Sequence, residues 1–316
     1  MIVASKTEEL GFAAGRPVVA TIGNFDGVHL GHQAIMARVV ERARALDGLA
    51  AAVTFDPHPR RLLDPEHAPR TMFTRFQKLA ALQRAGLDAV CVLPFDRRLA
   101  AMPAEEFARE ILARRLGVRE IHVGQDFRFG RGRAGDVPLL NKLGAALGFT
   151  AHAVPPVMHD DERISTSRIR ESIGAGRVEE AAQMLGRPFA LAGTIVHGEG
   201  RGGAVLVPTA NLATENELLP ARGVYFTLTR LGDLHVPGLT NIGVRPTFGD
   251  HRLVVETFLP GFKGDLYGAR VELDFQARHR DERKFDSPED LPAQLKRAIA
   301  AVEAGRGVAL APSCLS

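Results

Sequence analysis

The sequence is poor in cysteine, in net charge and in long apolar runs, and each shortage excludes a class of protein. Its 316 residues hold only 2 cysteines and no Cys-x-x-Cys pair, so neither a disulfide framework nor a cysteine zinc site is expected. Forty Lys and Arg face 37 Asp and Glu, which gives +3 and no basic surface for nucleic acid. No apolar run approaches the ~20 residues of a membrane span, and the first residues lack the apolar core of a signal peptide. We therefore expect a cytoplasmic protein that binds neither nucleic acid nor membrane.

The first half alternates short apolar runs with segments of helical length. The expected strands are Val18–Ile22, Ala50–Phe55, Ala89–Leu93, Glu120–Val123 and Thr150–Val154. The expected helices between them are Gly31–Leu46, Arg75–Ala85, Ala104–Leu116 and Val137–Leu147. Strands that are apolar on both faces and alternate with helices are typical of a parallel sheet covered by helices on both sides. The pattern predicts an α/β, doubly wound parallel sheet of the Rossmann-like kind.

The pattern changes near residue 186, where a β-rich segment begins. Strands are expected at Ala190–Val196, Val224–Leu231, Leu253–Phe258 and Arg270–Phe275. A helix should follow within residues 287–305, where Ser287 is a suitable N-cap and Pro288 suits the first helical position. Several strands closed by one helix favour a small antiparallel β-barrel with a C-terminal helix. The expected organisation is residues 1–186, 187–306 and a tail at 307–316.

The segment Gly23–His32, "GNFDGVHLGH", directly follows the first expected strand. In doubly wound sheets, ligands bind where such strands end and loops lead into helices. His29 and His32 should lie one turn apart at a helix start, where free N–H groups and the helix dipole favour phosphate. Two other interpretations of this His-x-x-His pair are open: a metal site, although no third ligand follows at a recognisable spacing, and simple helix capping.

The motif His29–His32 fits the His-x-Gly-His signature of the nucleotidyltransferase superfamily. With "TFDPHP" (Thr54–Pro59), "VGQDFRFGRGRAGD" (Val123–Asp136) and "ISTSRIR" (Ile164–Arg170), the chain resembles the bacterial bifunctional riboflavin kinase/FMN adenylyltransferases over nearly its whole length. That resemblance implies that FMN and ATP react to give FAD and pyrophosphate. It also implies catalytic roles for His29, His32 and Arg168. The ATP- and FMN-binding residues that it implies are Gly23, Asn24, Phe25, Asp26, Gly31, Gly124, Asp126, Arg128, Ser165, Thr166, Ser167 and Arg170.

The second half is similar to the riboflavin kinase module of the same family. The segments that carry the likeness are "VPTANL" (Val207–Leu212), "NIGVRPTFG" (Asn241–Gly249) and "VETF" (Val255–Phe258). The resemblance implies that ATP phosphorylates riboflavin to FMN, with Glu256 as the base for the ribityl hydroxyl. Thr209 and Asn211 would hold Mg²⁺ and ATP, since side-chain oxygens are ligands that Mg²⁺ prefers. Gly198, Gly202 and Pro208 would complete the binding loop.

Departures from the family pattern cluster in the kinase module. Gly203 replaces a basic residue, Leu206 replaces a glycine ahead of the Pro-Thr-Ala-Asn quartet, and Ala298 stands where an acid is common. A branched side chain in place of glycine would hinder close approach to phosphate. The sequence therefore supports a bifunctional enzyme first and an FAD synthetase with a weakened or inactive kinase second. A third hypothesis, from another class, is a flavin or nucleotide sensor without turnover.

Overall fold

The structure of the protein is a computed structural model that describes residues 1–4, 15–197, 209–244, 253–260 and 262–281. The chain divides into two compact units, Met1–Ser165 and Thr166–Ser316, and each is described by itself. The boundary expected near residue 186 stays a prediction. The helix expected within residues 287–305 and the tail lie outside the described residues.

The first unit is built on a six-stranded, wholly parallel sheet in the order β1-β4-β3-β2-β5-β6. The strands are β1 (Ile2–Ala4), β2 (Val18–Ile22), β3 (Leu49–Asp56), β4 (Ala89–Pro94), β5 (Val118–Gly124) and β6 (Thr150–Val154). All five residues of β2 are buried, which explains why its sequence is a continuous apolar run. The predicted doubly wound fold is confirmed.

Helices cover both faces of this sheet. They are α1 (Leu30–Ala45), α2 (Pro59–Leu63), α3 (Arg75–Arg84), α4 (Arg97–Ala101), α5 (Ala104–Phe107) and α6 (Val137–Leu147). A π-helical stretch, Ala108–Arg115, continues α5, and short 3₁₀ turns lie at Pro65–His67 and Arg131–Arg133. A two-stranded ribbon, β7 (Met158–His159) and β8 (Glu162–Arg163), follows β6. Cys91 is buried in β4, and burial raises the pKa of its thiol to about 12, so the thiol stays protonated at neutral pH.

The second unit contains the predicted antiparallel barrel, which closes in the order β10-β13-β12-β11-β14-β9. Its strands are β9 (Phe189–Val196), β10 (Thr209–Thr214), β11 (Gly223–Leu231), β12 (Leu234–Val244), β13 (Leu253–Phe258) and β14 (Arg270–Arg280). Two helices, α7 (Thr166–Gly174) and α8 (Val178–Leu185), precede the barrel. Glu179 of α8 accepts a hydrogen bond of 2.9 Å from the backbone N–H of Arg278, which joins α8 to β14.

Candidate active sites

The parallel sheet has a topological switch point at β2. The chain passes from β2 to β3 and β4 on one side, and then returns to β5 on the other side. The loop of residues 23–29 leaves the carboxyl end of β2, and Gly124 ends β5. Ligands of doubly wound sheets bind in the crevice that such a reversal leaves between neighbouring loops. The structure therefore brings two of the predicted sets of site residues to the same edge of the sheet.

The backbone of the loop after β2 is tightly wound and tied to β3. Phe25 and Val28 have backbone φ values of 48° and 39°, which residues other than glycine rarely adopt. The Gly23 N–H donates to the Val53 carbonyl at 3.0 Å, and the Thr54 hydroxyl donates to the Asn24 carbonyl at 3.2 Å. Strain that neighbouring contacts hold in place is typical of functional loops.

Asp26 shapes this loop from within. Its side chain is buried, and its carboxylate accepts the backbone N–H groups of Met72, at 3.0 and 3.1 Å, and of Phe73, at 3.1 Å. The carboxylate thereby connects the loop after β2 to the segment that leads into α3. Because its oxygens serve these amides, the geometry favours a pocket-shaping role over direct contact with an anionic substrate.

His29 and His32 stack at the start of α1. His29 is the N-cap, and its Nδ1 accepts the His32 N–H at 3.3 Å, so this nitrogen carries no proton. The two ring centroids lie 3.7 Å apart at an interplanar angle of 19°. The Phe25 ring meets the His32 ring edge-on, with centroids 5.2 Å apart. Both imidazoles are thus held in place at a helix N-terminus, where the helix dipole favours anions.

Gly31 leaves room for this stack. A Cβ at this position would lie 3.1 Å from Cε1 of His29, closer than side-chain atoms normally pack. The glycine of the His-x-Gly-His motif therefore allows the cap residue to fold its ring back over the first turn of the helix.

His32 is an uncharged imidazole in this environment. Burial, followed by the neighbouring His29 and Arg163, lowers its pKa well below the usual 6.5. Its Nδ1 is buried and, among the described residues, has no hydrogen-bond partner. A neutral imidazole offers one N–H donor, which suits it to bind a phosphate oxygen by a hydrogen bond.

The loop of residues 125–136 after β5, called here the basic loop, forms a defined turn. Phe129 and Gly135 pair as an antiparallel bridge, and a Cβ on Gly135 would lie 2.6 Å from the Phe129 ring. Arg128 pairs with Asp136 at 2.9 Å, and Asp126 pairs with Arg163 of β8. The glycine of this bridge is therefore explained by close packing of the turn, while the side chains of Arg128 and Asp126 stay exposed at its surface.

The hydroxyl-rich segment "ISTSRIR" spans the division between the units, because Ser165 ends the first and Thr166 begins the second. Thr166 opens α7, and the side chain of Arg168 lies 3.8 Å from Glu180 of α8. The sequence predicts a helix after the hydroxyls of Ser165, Thr166 and Ser167. The helix begins earlier, at Thr166, so Thr166 and Ser167 lie in its first turn. The roles of Ser165, Thr166, Ser167, Arg168 and Arg170 stay predictions.

In the barrel, a row of polar residues crosses three strands. Glu256 of β13 lies opposite Asn211 of β10 on one side and opposite Asn241 of β12 on the other. Directly opposed residues share one face of a sheet, so all three side chains leave the same face and all three are half-buried. Their neighbours Val255 and Thr257 are buried, which is the inward alternation of a barrel strand.

Other residues of the expected kinase site lie at the edge of the described residues or outside them. Thr209 begins β10, and only its backbone is described. The other positions lie outside the described residues: Gly198, Gly202, Gly203, Leu206, Pro208 and Ala298.

Two residues gain a candidate role from the structure alone. Asn241 joins Glu256 through strand register, and Nε2 of His58 lies 3.2 Å from the side-chain amide of Asn24. Both belong to segments that the sequence singles out, "NIGVRPTFG" and "TFDPHP". Order along the chain identifies these segments, but the residue that faces a site emerges only when neighbouring strands and loops are assembled.

Comparisons with known proteins agree with this architecture. Residues 12–168 match the family model of FAD synthetase, and residues 185–305 match that of riboflavin kinase. A bifunctional riboflavin kinase/FMN adenylyltransferase of Pseudomonas fluorescens is 40% identical over 92% of this chain and 93% of its own length. The protein of the same description from Escherichia coli K12 is 37% identical over 88% and 90%.

A solved structure shares the fold over nearly the whole of both chains. The crystal structure of a macrolide-efflux protein from Streptococcus pneumoniae has a TM-score of 0.86 at 28% identity and covers 96% of this chain and 98% of that one. Within the described part of this chain, no helix is both long and apolar enough to cross a membrane. From the two family models and the relatives at 37–40% identity, the chain belongs to the bifunctional riboflavin kinase/FMN adenylyltransferases.

Proposed function

We propose that this chain makes FAD from riboflavin in two steps. Riboflavin and ATP give FMN and ADP, and FMN and a second ATP then give FAD and pyrophosphate. The observation that carries the proposal is the stacked His29–His32 pair at a helix N-terminus on the switch point of a parallel sheet. Its membership of the bifunctional family supports both steps in one chain.

The adenylyl transfer needs positioning more than acid-base chemistry. The FMN phosphate is already ionised at neutral pH, so one of its oxygens attacks the α-phosphorus of ATP while the bond to the leaving pyrophosphate breaks. His29 and His32 would hold the triphosphate and donate to the oxygens whose charge grows in the transition state. Gly23, Asn24 and Asp26 would shape the pocket, with Gly31 keeping the stack close.

Other residues that the sequence singles out would hold the two substrates. Gly124 and Asp126 would lie beside the adenosine, with Arg128 on the basic loop. Hydroxyls and amides at the start of a helix are a second surface suited to phosphate. Those residues are Ser165, Thr166 and Ser167, with Arg168 and Arg170 following in α7.

The kinase step begins with a neutral alcohol and therefore needs a base. Glu256 would take the proton of the terminal ribityl hydroxyl as its oxygen attacks the γ-phosphorus and ADP leaves. Thr209 and Asn211 would hold Mg²⁺ and ATP through side-chain oxygens, which are hard ligands of the kind that Mg²⁺ prefers, and Asn211 lies directly opposite Glu256 in the strand register. Mg²⁺ bound there would neutralise charge on the phosphates.

The direct test is chromatography of flavins after two parallel incubations of the full chain with Mg²⁺ and ATP. One incubation receives riboflavin and the other receives FMN. FAD from both is the expected result. FAD from FMN alone would identify an enzyme whose kinase is inactive, and FAD from neither would contradict the proposed function and favour a sensor.

The departures in the kinase loop have their own test. The double substitution Gly203→Arg with Leu206→Gly restores the family pattern, and single-turnover kinase rates compare it with the unchanged chain. Equal rates are the expected result, because the relatives at 37–40% identity are named as bifunctional riboflavin kinase/FMN adenylyltransferases. A much faster variant would show that the natural loop is impaired.

A further inference from the structure

The sheet of the first unit carries three side chains that are suited to a metal ion, outside the loops assigned to the reaction. Glu120 and His122 lie on β5, and His152 lies on the neighbouring edge strand β6. One ligand atom of each lies within 4.8 Å of the other two. We propose that these three residues bind a divalent cation of the borderline class, with Zn²⁺ as the type ion.

Strand register brings the three side chains together. His122 and His152 are direct partners in the parallel pairing of β5 and β6, and their rings stack with centroids 4.8 Å apart at an angle of 21°. Glu120 precedes His122 by two positions, so it leaves the same face of the strand. Nε2 of His122 lies 3.4 Å from a carboxylate oxygen of Glu120. The backbone of the sheet thus supports the cluster.

The donor set selects the class of ion. Two imidazoles and one carboxylate are the ligands of open zinc sites, in which water takes the fourth position. Mg²⁺ and Ca²⁺ prefer oxygen ligands alone, so this set disfavours them. Ligand atoms around zinc lie about 3.4 Å apart, given bonds of about 2.1 Å. The exposed His152 has room to turn its ring and close the remaining gap.

The surroundings of the cluster are of the kind that orient metal ligands. Arg42 of α1 donates to both oxygens of Glu120, at 2.9 and 2.6 Å. A carboxylate has about four lone-pair sites, so a metal ion shares Glu120 with this guanidinium. Nε2 of His152 lies 3.2 Å from the Thr150 hydroxyl, a contact through which a ring nitrogen that does not bind the metal is commonly held.

Burial adds a second indication and an entry route. Glu120 and His122 are only 8% and 6% exposed, whereas His152 is exposed at the open edge of the sheet. An ion reaches the cluster from solvent past His152 and meets two ligands that are already fixed in position. Bound there, it would tie the edge strand β6 to β5, two residues before Gly124.

The experiment is a titration of the full chain, free of nucleotide and Mg²⁺, with Zn²⁺ in competition with a chromophoric chelator. The variants are His152→Ala, which removes the exposed ligand, and Glu120→Gln, which removes the carboxylate charge. The matched control is His235→Ala, which removes an exposed histidine of the second unit. We expect one Zn²⁺ per chain, at least tenfold weaker binding in His152→Ala and in Glu120→Gln, and unchanged binding in the control.

Cobalt provides a readout that does not depend on enzyme activity. Co²⁺ at this site should give the visible absorption of a four-coordinate ion in the unchanged chain and lose it in His152→Ala. Equal Zn²⁺ affinity in the unchanged chain and His152→Ala would overturn the proposal, since the ion would then bind at other histidines. Absence of Zn²⁺ binding by the unchanged chain would overturn it as well. Because His152 is exposed, its removal should leave the fold intact even if Glu120→Gln does not fold.

Discussion

At the scale of single residues, His29 has two functions in one position. It caps α1 through Nδ1 and stacks on His32, so a change to alanine would lose both helix stability and phosphate binding. Asparagine is among the best N-cap residues, so His29→Asn keeps the cap and removes the imidazole. We expect His29→Asn and His32→Ala each to lower the rate of FAD formation from FMN by about 10²–10³-fold.

The control for this prediction lies in the same chain. The rate of riboflavin phosphorylation should stay within about twofold of the unchanged protein in both variants. Steady-state rates with each flavin separate the two steps. If His29→Asn formed FAD at the original rate, the imidazole of His29 would serve only as a helix cap, and the proposed phosphate contact would be wrong.

The charge of His32 is the second residue-scale prediction. Its pKa is lowered by burial first, so the imidazole should stay neutral at pH 6.5, where an unperturbed histidine is half protonated. The unfolded chain takes up this proton near pH 6.5 and the folded chain does not. Stability from this residue is therefore full above pH 6.5 and is lost as the pH falls below it.

A histidine-selective NMR titration of the ligand-free chain checks this charge state. The resonance that disappears in His32→Gln is assigned to His32, and its midpoint is compared with that of the exposed His235. A midpoint at or above 6.5 for His32 would contradict the buried, neutral state. Bound ATP should move the midpoint upward, because phosphate favours the charged imidazole.

Sequence reasoning located these residues but not their geometry. A buried five-residue strand followed by glycines and a histidine pair is enough to predict the loop after β2. The orientation of the rings follows from the contact with Phe25, a residue with an unusual φ of 48°, and from the space above Gly31. The order of residue types along the sequence does not reveal such a backbone angle.

At the scale of elements, Asp26 connects the β2 loop to the segment before α3. Loss of its carboxylate removes the hydrogen bonds that it accepts from the buried N–H of Met72 and the half-buried N–H of Phe73. Since hydrogen bonds to a charged group contribute about 1.5–3 kcal/mol, Asp26→Ala should destabilise the first unit by about 3 kcal/mol. Urea unfolding measures this change.

An exposed aspartate provides the matched control. Asp47 follows α1 with φ of 49°, and Asn tolerates this conformation, so Asp47→Asn should change the free energy of unfolding by less than about 0.5 kcal/mol. If Asp26→Ala were as stable as Asp47→Asn, the link between the two segments would contribute little. FAD formation should fall in Asp26→Ala even at temperatures where the unit stays folded, since the loop loses its support.

Elements with a clear local sequence pattern could be predicted, whereas departures from regular geometry and strands that contain poor strand formers could not. The strands Val18–Ile22 and Thr150–Val154 and the helix Val137–Leu147 have the expected bounds. The expected helix from Ala104 widens into a π-helix, where the Leu116 N–H donates to the carbonyl of Ile111, five residues earlier. Strand β12 contains Pro237 and Gly238, which are poor strand formers, yet it pairs with β11 over nine positions.

At the scale of the whole molecule, two separate sites mean that each activity can be lost without the other. His32→Ala should still convert riboflavin to FMN, whereas Glu256→Gln should still convert FMN to FAD but should phosphorylate riboflavin about 10²–10⁴-fold more slowly. FMN is the product of one step and the substrate of the other. An equal mixture of the two variants, given riboflavin, Mg²⁺ and ATP, should therefore form FAD that neither variant forms alone.

This mixture also tests how FMN moves between the sites. In the mixture, FMN must leave the barrel of one chain and bind at the switch point of another, so FAD should appear after a lag in which free FMN accumulates. Flavin chromatography over time follows both species, and each variant alone supplies the baseline. A mixture that accumulates FMN without FAD, while Glu256→Gln still converts added FMN, would contradict capture of free FMN at the observed concentration. Because His32 and Glu256 belong to different units, complementation would assign each chemical step to its own unit within the full chain.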